Sequence, residues 1–177
     1  MSVTPPGPAA LARLHQAYTR GIASLLDAIV SEPAFRDEAN SLVKQPVEWA
    51  AGLMRALAVR PSGLEDRQAR RLLANLRGMG QLPFLPPSVG GWPSGGGWLT
   101  TAAALARVQT ARLIAERATL PSDAVKTPIR QRVEYLRRLL GVDHFSTRSA
   151  DAISQVADRL PTAIAVAACS PEYLVSG

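Results

Sequence analysis

The chain has 177 residues, enough for one domain with a buried core, and its longest apolar stretch, Thr162 to Cys169, is too short to insert into a membrane. Twenty Lys and Arg against fourteen Asp and Glu give a formal charge of +6, but the arginines are dispersed along the chain, so nucleic-acid binding is not favoured. One Cys and two His exclude an internal disulfide and a Cys/His zinc site within one chain, and we predict neither metal nor cofactor.

A proline-rich lead, predicted to be frayed over residues 1–10, precedes an all-helical domain predicted for residues 11–177. In "ALARLHQAY" and "IASLLDAIVSEPAF" the apolar residues recur at helical spacing. These two segments predict a pair of amphipathic helices, forming a hairpin that is broken near Gly21.

Proline and capping patterns delimit the next two helices. In "KQPVEWAAGLMRALAVRP", Pro46 suits a first helical turn and Pro61 stops the helix. "SGLEDRQARRLLANLRGMG" opens with Ser62 and Glu65 at capping-box spacing. Its leucines are predicted to face inward and its arginines to form a solvated face, with an anion site as the alternative: Leu72, Leu73 and Leu76 against Arg67, Arg70 and Arg71.

Four helices are predicted in the second half of the chain. "TTAAALARVQTARLIAERATL" starts with a threonine cap and is expected to run to Pro121. "TPIRQRVEYLRRLLG", "RSADAISQVADRLP" and "PTAIAVAACSPEYL" follow, the last as a buried helix that ends in a turn. No segment has a useful strand period, so we predict an all-α single domain of about six to eight helices with one long ordered loop.

That loop, "GQLPFLPPSVGGWPSGGGWLTT", is rich in Pro, Gly and Trp. Prolines fix φ and glycines permit positive φ, so the composition indicates a shaped loop. We predict that Phe84, Trp92 and Trp98 lie across the helices as a lid, with both indoles mostly buried. The alternative is a stacking platform for a sugar, a base or a peptide.

Patterns of catalytic chemistry are absent from the sequence. The glycines match neither GxxxxGK[ST] nor GxGxxG, and GxSxG and HExxH do not occur. Asp143 and His144 are adjacent on a short connector, where a plain turn is the favoured interpretation, and Cys169 is predicted to be a small buried hydrophobe. We therefore predict no catalytic residue.

One polar pair is predicted from the flanks of the loop. Glu48 and Arg107 each lie about one turn inside a helix, and a carboxylate beside Trp49 requires a partner, so we predict that they meet in a structural role. The candidate packing or ligand site comprises Glu48, Trp49, Phe84, Gly91, Trp92, Trp98 and Arg107.

Three motifs in order, "LVKQPVEWAAGLMRAL", "MGQLPFLPPSVGGWPSGGGWLTTAAALAR" and "CSPEYL", resemble the C-terminal part of the bacterial domain of unknown function 1800 family. The resemblance covers Leu11 to Leu174. The positions that match its pattern are Lys44, Pro46, Glu48, Trp49, Gly80, Gln81, Pro83, Phe84, Pro86, Pro87, Gly91, Trp92, Trp98, Leu99 and Arg107.

The resemblance implies that the chain is a C-terminal fragment, a split-gene half or a truncated relative. Family members are usually more than twice as long, and their N-terminal half carries a Phe-Trp-His element and an NENYARE-like motif that this sequence lacks. Many members are similar to exported proteins. Because no signal peptide is readable in this sequence, we expect a cytoplasmic protein by default. If a longer parent protein carries a signal peptide, we expect export.

No established activity comes with the resemblance, so the functional expectation is based on the apolar surface of the chain. We predict a non-catalytic interaction module whose apolar face docks the family's N-terminal half, a protein encoded nearby or a second copy of the chain. The residues expected to be exposed on the first two helices are Leu11, Leu14, Ile22 and Leu25. The alternatives are an enzyme or carbohydrate-binding domain that uses the Trp-rich loop, and a non-specific nucleic-acid binder.

Overall fold

A computed structural model describes residues 6–35, 42–120 and 122–176, and this part of the chain is all-α. Its α-helices are α1 (Pro8–Tyr18), α2 (Ile22–Ser31), α3 (Pro46–Ala56), α4 (Asp66–Gly78), α5 (Thr101–Ala115), α6 (Ser122–Lys126), α7 (Arg132–Leu140), α8 (Thr147–Ser154), α9 (Leu160–Ala168) and α10 (Pro171–Leu174). Two short strands, β1 (Leu42–Val43) and β2 (Val175–Ser176), pair with each other. The predicted all-α class is confirmed. The described helices exceed the expected number because α6 and α10, of five and four residues, are short additions.

The chain divides into two compact units, Met1–Leu42 with Ser176–Gly177, and Val43–Val175. In the first unit α1 and α2 form the predicted hairpin, and Gly21 separates them with a φ of 117°. A paired set of hydrogen bonds from Arg13 to the Glu32 carboxylate, both 2.8 Å, ties the hairpin. Helix α1 begins at Pro8, inside the lead that we predicted to be frayed, since proline suits a first helical turn. Residues 1–5 of that lead lie outside the described residues.

The second unit holds the hydrophobic core. Helix α5 packs against α3, α4 and α9, and α9 also contacts α7 and α8. The large side chains fully buried there include Trp49, Leu53, Ile114, Leu136, Ile153 and Ile164. In α3 and its C-cap, Ala50, Leu53, Met54 and Leu57 are buried, while Val47 is partly buried.

The structure corrects two of the predicted helix boundaries and confirms a third. Ser62 lies in a 3-10 turn, Pro61–Gly63, and the capping box forms one turn later, between Glu65 and Gln68. Helix α5 has the predicted cap, because the Thr100 hydroxyl accepts a hydrogen bond from Ala103 N at 3.1 Å. It ends at Ala115, however, well before Pro121.

The inward face of α4 is narrower than predicted. Leu72 and Leu76 are buried one turn apart, but Leu73 is 48 % exposed, because it lies about 100° around the helix from Leu72, at the edge of the buried face. The three arginines of the opposite face are exposed as expected. None of the helices in the described ranges has the length and apolarity needed to cross a bilayer.

Candidate functional site

The start of the Trp-rich loop is joined to the N-terminus of α3 by the buried side chain of Gln81. Its Oε1 accepts a hydrogen bond from Val47 N at 2.9 Å, and its Nε2 donates to Gln45 Oε1 at 2.7 Å. Gln45 is the N-cap of α3 and forms a capping box with Glu48. Gln81 therefore satisfies one of the unpaired N–H groups of the first helical turn and holds the capping residue in place.

The same helix is joined to the end of the chain. The Trp49 indole Nε1 donates to Ala168 O at 2.8 Å in the core. Lys44 Nζ lies 4.2 Å from the centre of the Tyr173 ring, and Lys44 N donates to Leu174 O at 2.8 Å. Burial lowers the pKa of Lys44, and burial followed by the charge of Glu48 raises the pKa of Tyr173 to about 12. The "VKQPVEW" and "SPEYL" segments thus form one packed unit.

The end of the loop is anchored by Trp98 and Arg107. Trp98 is 1 % exposed, and a Cβ at Gly80, where φ is +90°, would lie 3.4 Å from its ring. Arg107 is 2 % exposed, and its Nη1 donates to Trp98 O at 2.6 Å. Burial lowers the pKa of Arg107. These contacts fix the last turn of the loop against α5.

Between its two anchored ends the loop forms a shallow cleft of about 390 Å³ beside the N-terminus of α3. Glu48, Phe84 and the partly buried Trp92 line this loop cleft. Phe84 is 95 % exposed and has a positive φ of 64°, which costs a non-glycine residue about 1–3 kcal/mol. The Trp92 Nε1 is buried and has no hydrogen-bond partner among the described residues.

The predicted meeting of Glu48 and Arg107 is wrong. Glu48 is exposed and its Oε2 accepts a hydrogen bond from Gln45 N at 3.3 Å, so it serves its own helix. Arg107 forms no ion pair with any carboxylate of the described residues, and its Nε and Nη2 have no hydrogen-bond partner there. The two side chains project from different helices, and spacing along the sequence does not determine whether they converge.

The lid prediction holds at one tryptophan and only partly at the other. Trp98 is buried as predicted, Trp92 is partly buried, and Phe84 stands in solvent. Gly91 forms a tight turn inside the loop, where its N–H donates to Ser88 O at 3.0 Å and its φ is +89°. The structure thus brings Glu48, Phe84 and Trp92 together and places the other predicted large side chains in the core.

The remaining reactive groups stay apart from the loop. Cys169 is partly buried, and burial raises the pKa of its thiol to about 11, so it remains a neutral thiol at physiological pH. Asp143 and His144 are both exposed on their connector. Among the described residues no group of three His, Cys, Asp or Glu is placed to hold a metal ion.

Sequence reasoning missed the role of Gln81. The residue stood in the "GQLPF" motif, but nothing in that motif indicates that its amide reaches the cap of a helix 36 residues away. A signal was present in hindsight, since Gln45 immediately precedes a helix-starting proline and a long polar side chain would be needed to support it.

Comparison with known proteins identifies the chain by family. The model of the family described as "Protein of unknown function (DUF1800)" matches residues 2–175, and the chain belongs to that family. No curated protein and no solved structure matches the chain. In this chain the contacts of the motif residues described above are mainly those of packing and capping.

Proposed function

We propose that this member of the DUF1800 family is a non-catalytic interaction module, whose N-terminal hairpin binds helices of a protein partner. The observation that carries the proposal is in α2, where seven of ten residues are apolar and none is buried. An isolated helix of this length is marginal in water, because most helix stability in proteins comes from packing of an apolar face. A partner that covers this face would supply that packing.

The exposed apolar side chains of the hairpin and the turn after it define the proposed docking surface. Its members are Leu11 (53 % exposed), Tyr18 (60 %), Ile22 (70 %), Leu26 (58 %), Val30 (46 %) and Phe35 (60 %). Of the four residues predicted to be exposed, Leu11 and Ile22 are exposed, but the prediction is wrong for Leu14 and Leu25, which are partly buried. A set of large apolar side chains on one hairpin is typical of a protein–protein contact surface.

We propose that the partner is the N-terminal region of longer family members. Apolar helices of that region would bind the docking surface. Support comes from the polar residues of the signature motifs, which serve capping and packing within Val43–Val175 and leave the hairpin as the apolar region without a core of its own. The same proposal includes a bacterial origin, a longer parent protein, and export if that parent carries a signal peptide.

The test is sedimentation of the chain mixed with the N-terminal half of a longer family member. We expect a heterodimer that Leu26→Ser weakens by about 10- to 100-fold, since burying one leucine contributes about 1.5–3 kcal/mol. Leu105→Ser is the matched control, because Leu105 is 61 % exposed on α5 of the other unit. It should leave the affinity unchanged.

Two outcomes would contradict the proposed partner. In one, the wild-type chain sediments as a monomer and does not bind the N-terminal half. In the other, the chain alone forms a dimer that Leu26→Ser dissociates, which would make a second copy the occupant of the docking surface.

A second candidate function is ligand binding in the loop cleft, favoured by the exposed ring of Phe84 on a strained backbone. Strain of this kind is tolerated where a side chain is held for contact with a partner. A flat aromatic ring that lines the same cleft as Glu48 and Trp92 suits stacking on a sugar.

This candidate is tested by titrating cellotriose or chitotriose while the tryptophan fluorescence is recorded. Phe84→Ala should abolish a saturable change, whereas Val89→Ala, in an equally exposed residue of the same loop, should preserve it. A change that is absent in the wild type, or equal in both variants, would remove the loop cleft as a sugar site.

A further inference from the structure

A second cavity, of about 610 Å³, opens between α5, α8 and α9 and shares no lining residue with the loop cleft. Its volume is within the usual range of about 300–1,000 Å³ for small-molecule sites. All of its lining residues belong to the unit Val43–Val175. The docking surface shares no residue with this cavity, and of the three family motifs only the start of "CSPEYL" reaches it, through Cys169, Ser170 and Pro171.

The interior of the cavity is mainly apolar. Val108 of α5 and Ala165 and Val166 of α9 form part of its wall, with Ala152 of α8 opposite. Cys169 also lines the wall and adds apolar surface as a neutral thiol, since burial raises its pKa to about 11. A hydrocarbon or ring system would lose water contact on both sides here.

Three arginines line the same cavity, one from α5, one from α8 and one from the N-cap of α9: Arg112, Arg148 and Arg159. Neither Arg112 nor Arg148 forms an ion pair with a carboxylate of the described residues. Arg159 lies 3.8 Å from Asp158, but both side chains are more than 60 % exposed, so this pair is weak. The cavity therefore carries a positive charge that the ion pairs of the described residues offset only weakly, at Arg159.

Besides the weak contact of Asp158, one carboxylate of the described residues, Glu172, contacts the lining, and it is already engaged. Glu172 accepts a hydrogen bond from Ser146 N at 3.0 Å and one from the Ser149 hydroxyl at 2.9 Å. Partial burial raises the pKa of Glu172, but the hydrogen bonds from Ser146 and Ser149 outweigh it and lower the pKa to about 2. Glu172 therefore balances the N-terminus of α8, whereas no Asp or Glu is among the lining residues.

A fourth cation lies behind the wall. The guanidinium of Arg107 is buried, is close enough to Cys169 to oppose the rise in the pKa of its thiol, and has two nitrogens without a partner among the described residues. A buried cation without a counter-ion is costly, and an anion in the adjacent cavity would reduce that cost through the low-dielectric wall. This observation is independent of the three lining arginines and indicates the same sign of ligand charge.

We propose that this cavity, the arginine pocket, binds a small amphipathic anion, with its apolar part against Val108, Ala165 and Val166 and its carboxylate or phosphate head at Arg112, Arg148 and Arg159. Arginine suits both head groups because its planar guanidinium donates two parallel hydrogen bonds. The inference goes beyond the interaction module and holds or fails independently of it.

The first experiment is calorimetric titration with decanoate, decyl phosphate and decanol. We expect one decanoate or decyl phosphate per chain and binding of decanol at least about tenfold weaker, because the uncharged head loses the arginine contacts. The preferred head group is read from the first two probes. Equal affinity for decanol would overturn the proposal.

Matched charge variants locate the site. Arg148→Gln and Arg112→Gln should each weaken decanoate by about tenfold or more, whereas Arg70→Gln, which removes the same charge from exposed α4, should not. Both pocket arginines are exposed, so the variants should keep the thermal midpoint of the wild type. An equal loss of decanoate affinity in Arg70→Gln would mean that overall charge causes the effect, which would contradict a defined pocket.

The chain's single cysteine provides a second readout within the pocket. Decanoate should slow the alkylation of Cys169 by iodoacetamide at alkaline pH, while acetate at the same concentration should not. If decanoate binds by calorimetry but leaves the alkylation rate unchanged, the anion binds elsewhere and the proposal is wrong.

Discussion

Helices α2 and α9 have nearly the same apolar content and opposite surroundings. In α2 seven of ten residues are apolar and none is buried, whereas in α9 seven of nine are apolar and six are buried. Helix α9 contacts α5, α7, α8 and α10, while the contacts of α2 are chiefly with α1 and the turn after it. Apolar content therefore sets how much surface a helix is able to bury, and the number of neighbouring helices sets how much it does bury.

The largest loss of stability is expected inside the second unit, for a substitution at the end of the loop. Trp98→Ala should lower the free energy of unfolding by about 3–5 kcal/mol, because it removes a fully buried indole and leaves a cavity beside Gly80, although the Trp98 carbonyl that Arg107 binds remains. Urea denaturation measures the loss. Trp92→Ala, in a partly buried residue of the same loop, should cost clearly less. Equal losses would mean that both indoles act as one lid.

Two Leu→Ala variants, one in each unit, test the comparison between the units directly. Leu53→Ala should cost about 2–5 kcal/mol because Leu53 is 0 % exposed in α3. Leu26→Ala should change the free energy of unfolding by no more than about 0.5 kcal/mol, since Leu26 is 58 % exposed in α2. Both are measured by urea denaturation of the isolated chain. A large loss at Leu26 would break the comparison by showing that α2 is packed in solution.

A smaller effect is expected where the loop caps α3. Gln81→Ala should cost about 1–3 kcal/mol, because Val47 N and Gln45 Oε1 lose their hydrogen-bond partner. Gln155→Ala, in an exposed glutamine, is the control and should be near neutral in the same denaturation assay. If the two variants are indistinguishable, water replaces the Gln81 amide and the motif does not stabilise the cap.

The smallest effect concerns pH. Because the pKa of Glu172 is lowered from 4.5 to about 2, its carboxylate stabilises the fold above pH 4.5, and that stabilisation is lost as the pH falls toward 2. Glu172→Gln should therefore reduce the acid-side slope of stability, measured by thermal melts across this interval. Glu134, whose pKa is also lowered to about 2, by Arg137 and then Arg138, accounts for part of the remaining slope. A constant difference between variant and wild type at every pH would contradict this assignment.

Local signals predicted most of the helices. Gly21 breaks the hairpin, Pro46 starts α3 and Thr100 caps α5, each as its residue type requires. The same kind of signal failed for α4, since Ser62 and Glu65 were predicted to form the capping box, whereas a 3-10 turn follows Arg60 and the box forms between Glu65 and Gln68. Capping is a local interaction, so the sequence contains it, but it does not rank neighbouring options.

The sequence by itself determined the helical class, the stiff loop and the family motifs, because periodicity, capping and backbone restriction act over a few residues. Only the tertiary structure decided that Arg107 binds Trp98 O and forms no ion pair with Glu48. It also brought Arg112, Arg148 and Arg159 to one cavity from three separate helices. The physical reason is that helical spacing fixes which side chains share a face, whereas the packing of different helices fixes which faces meet.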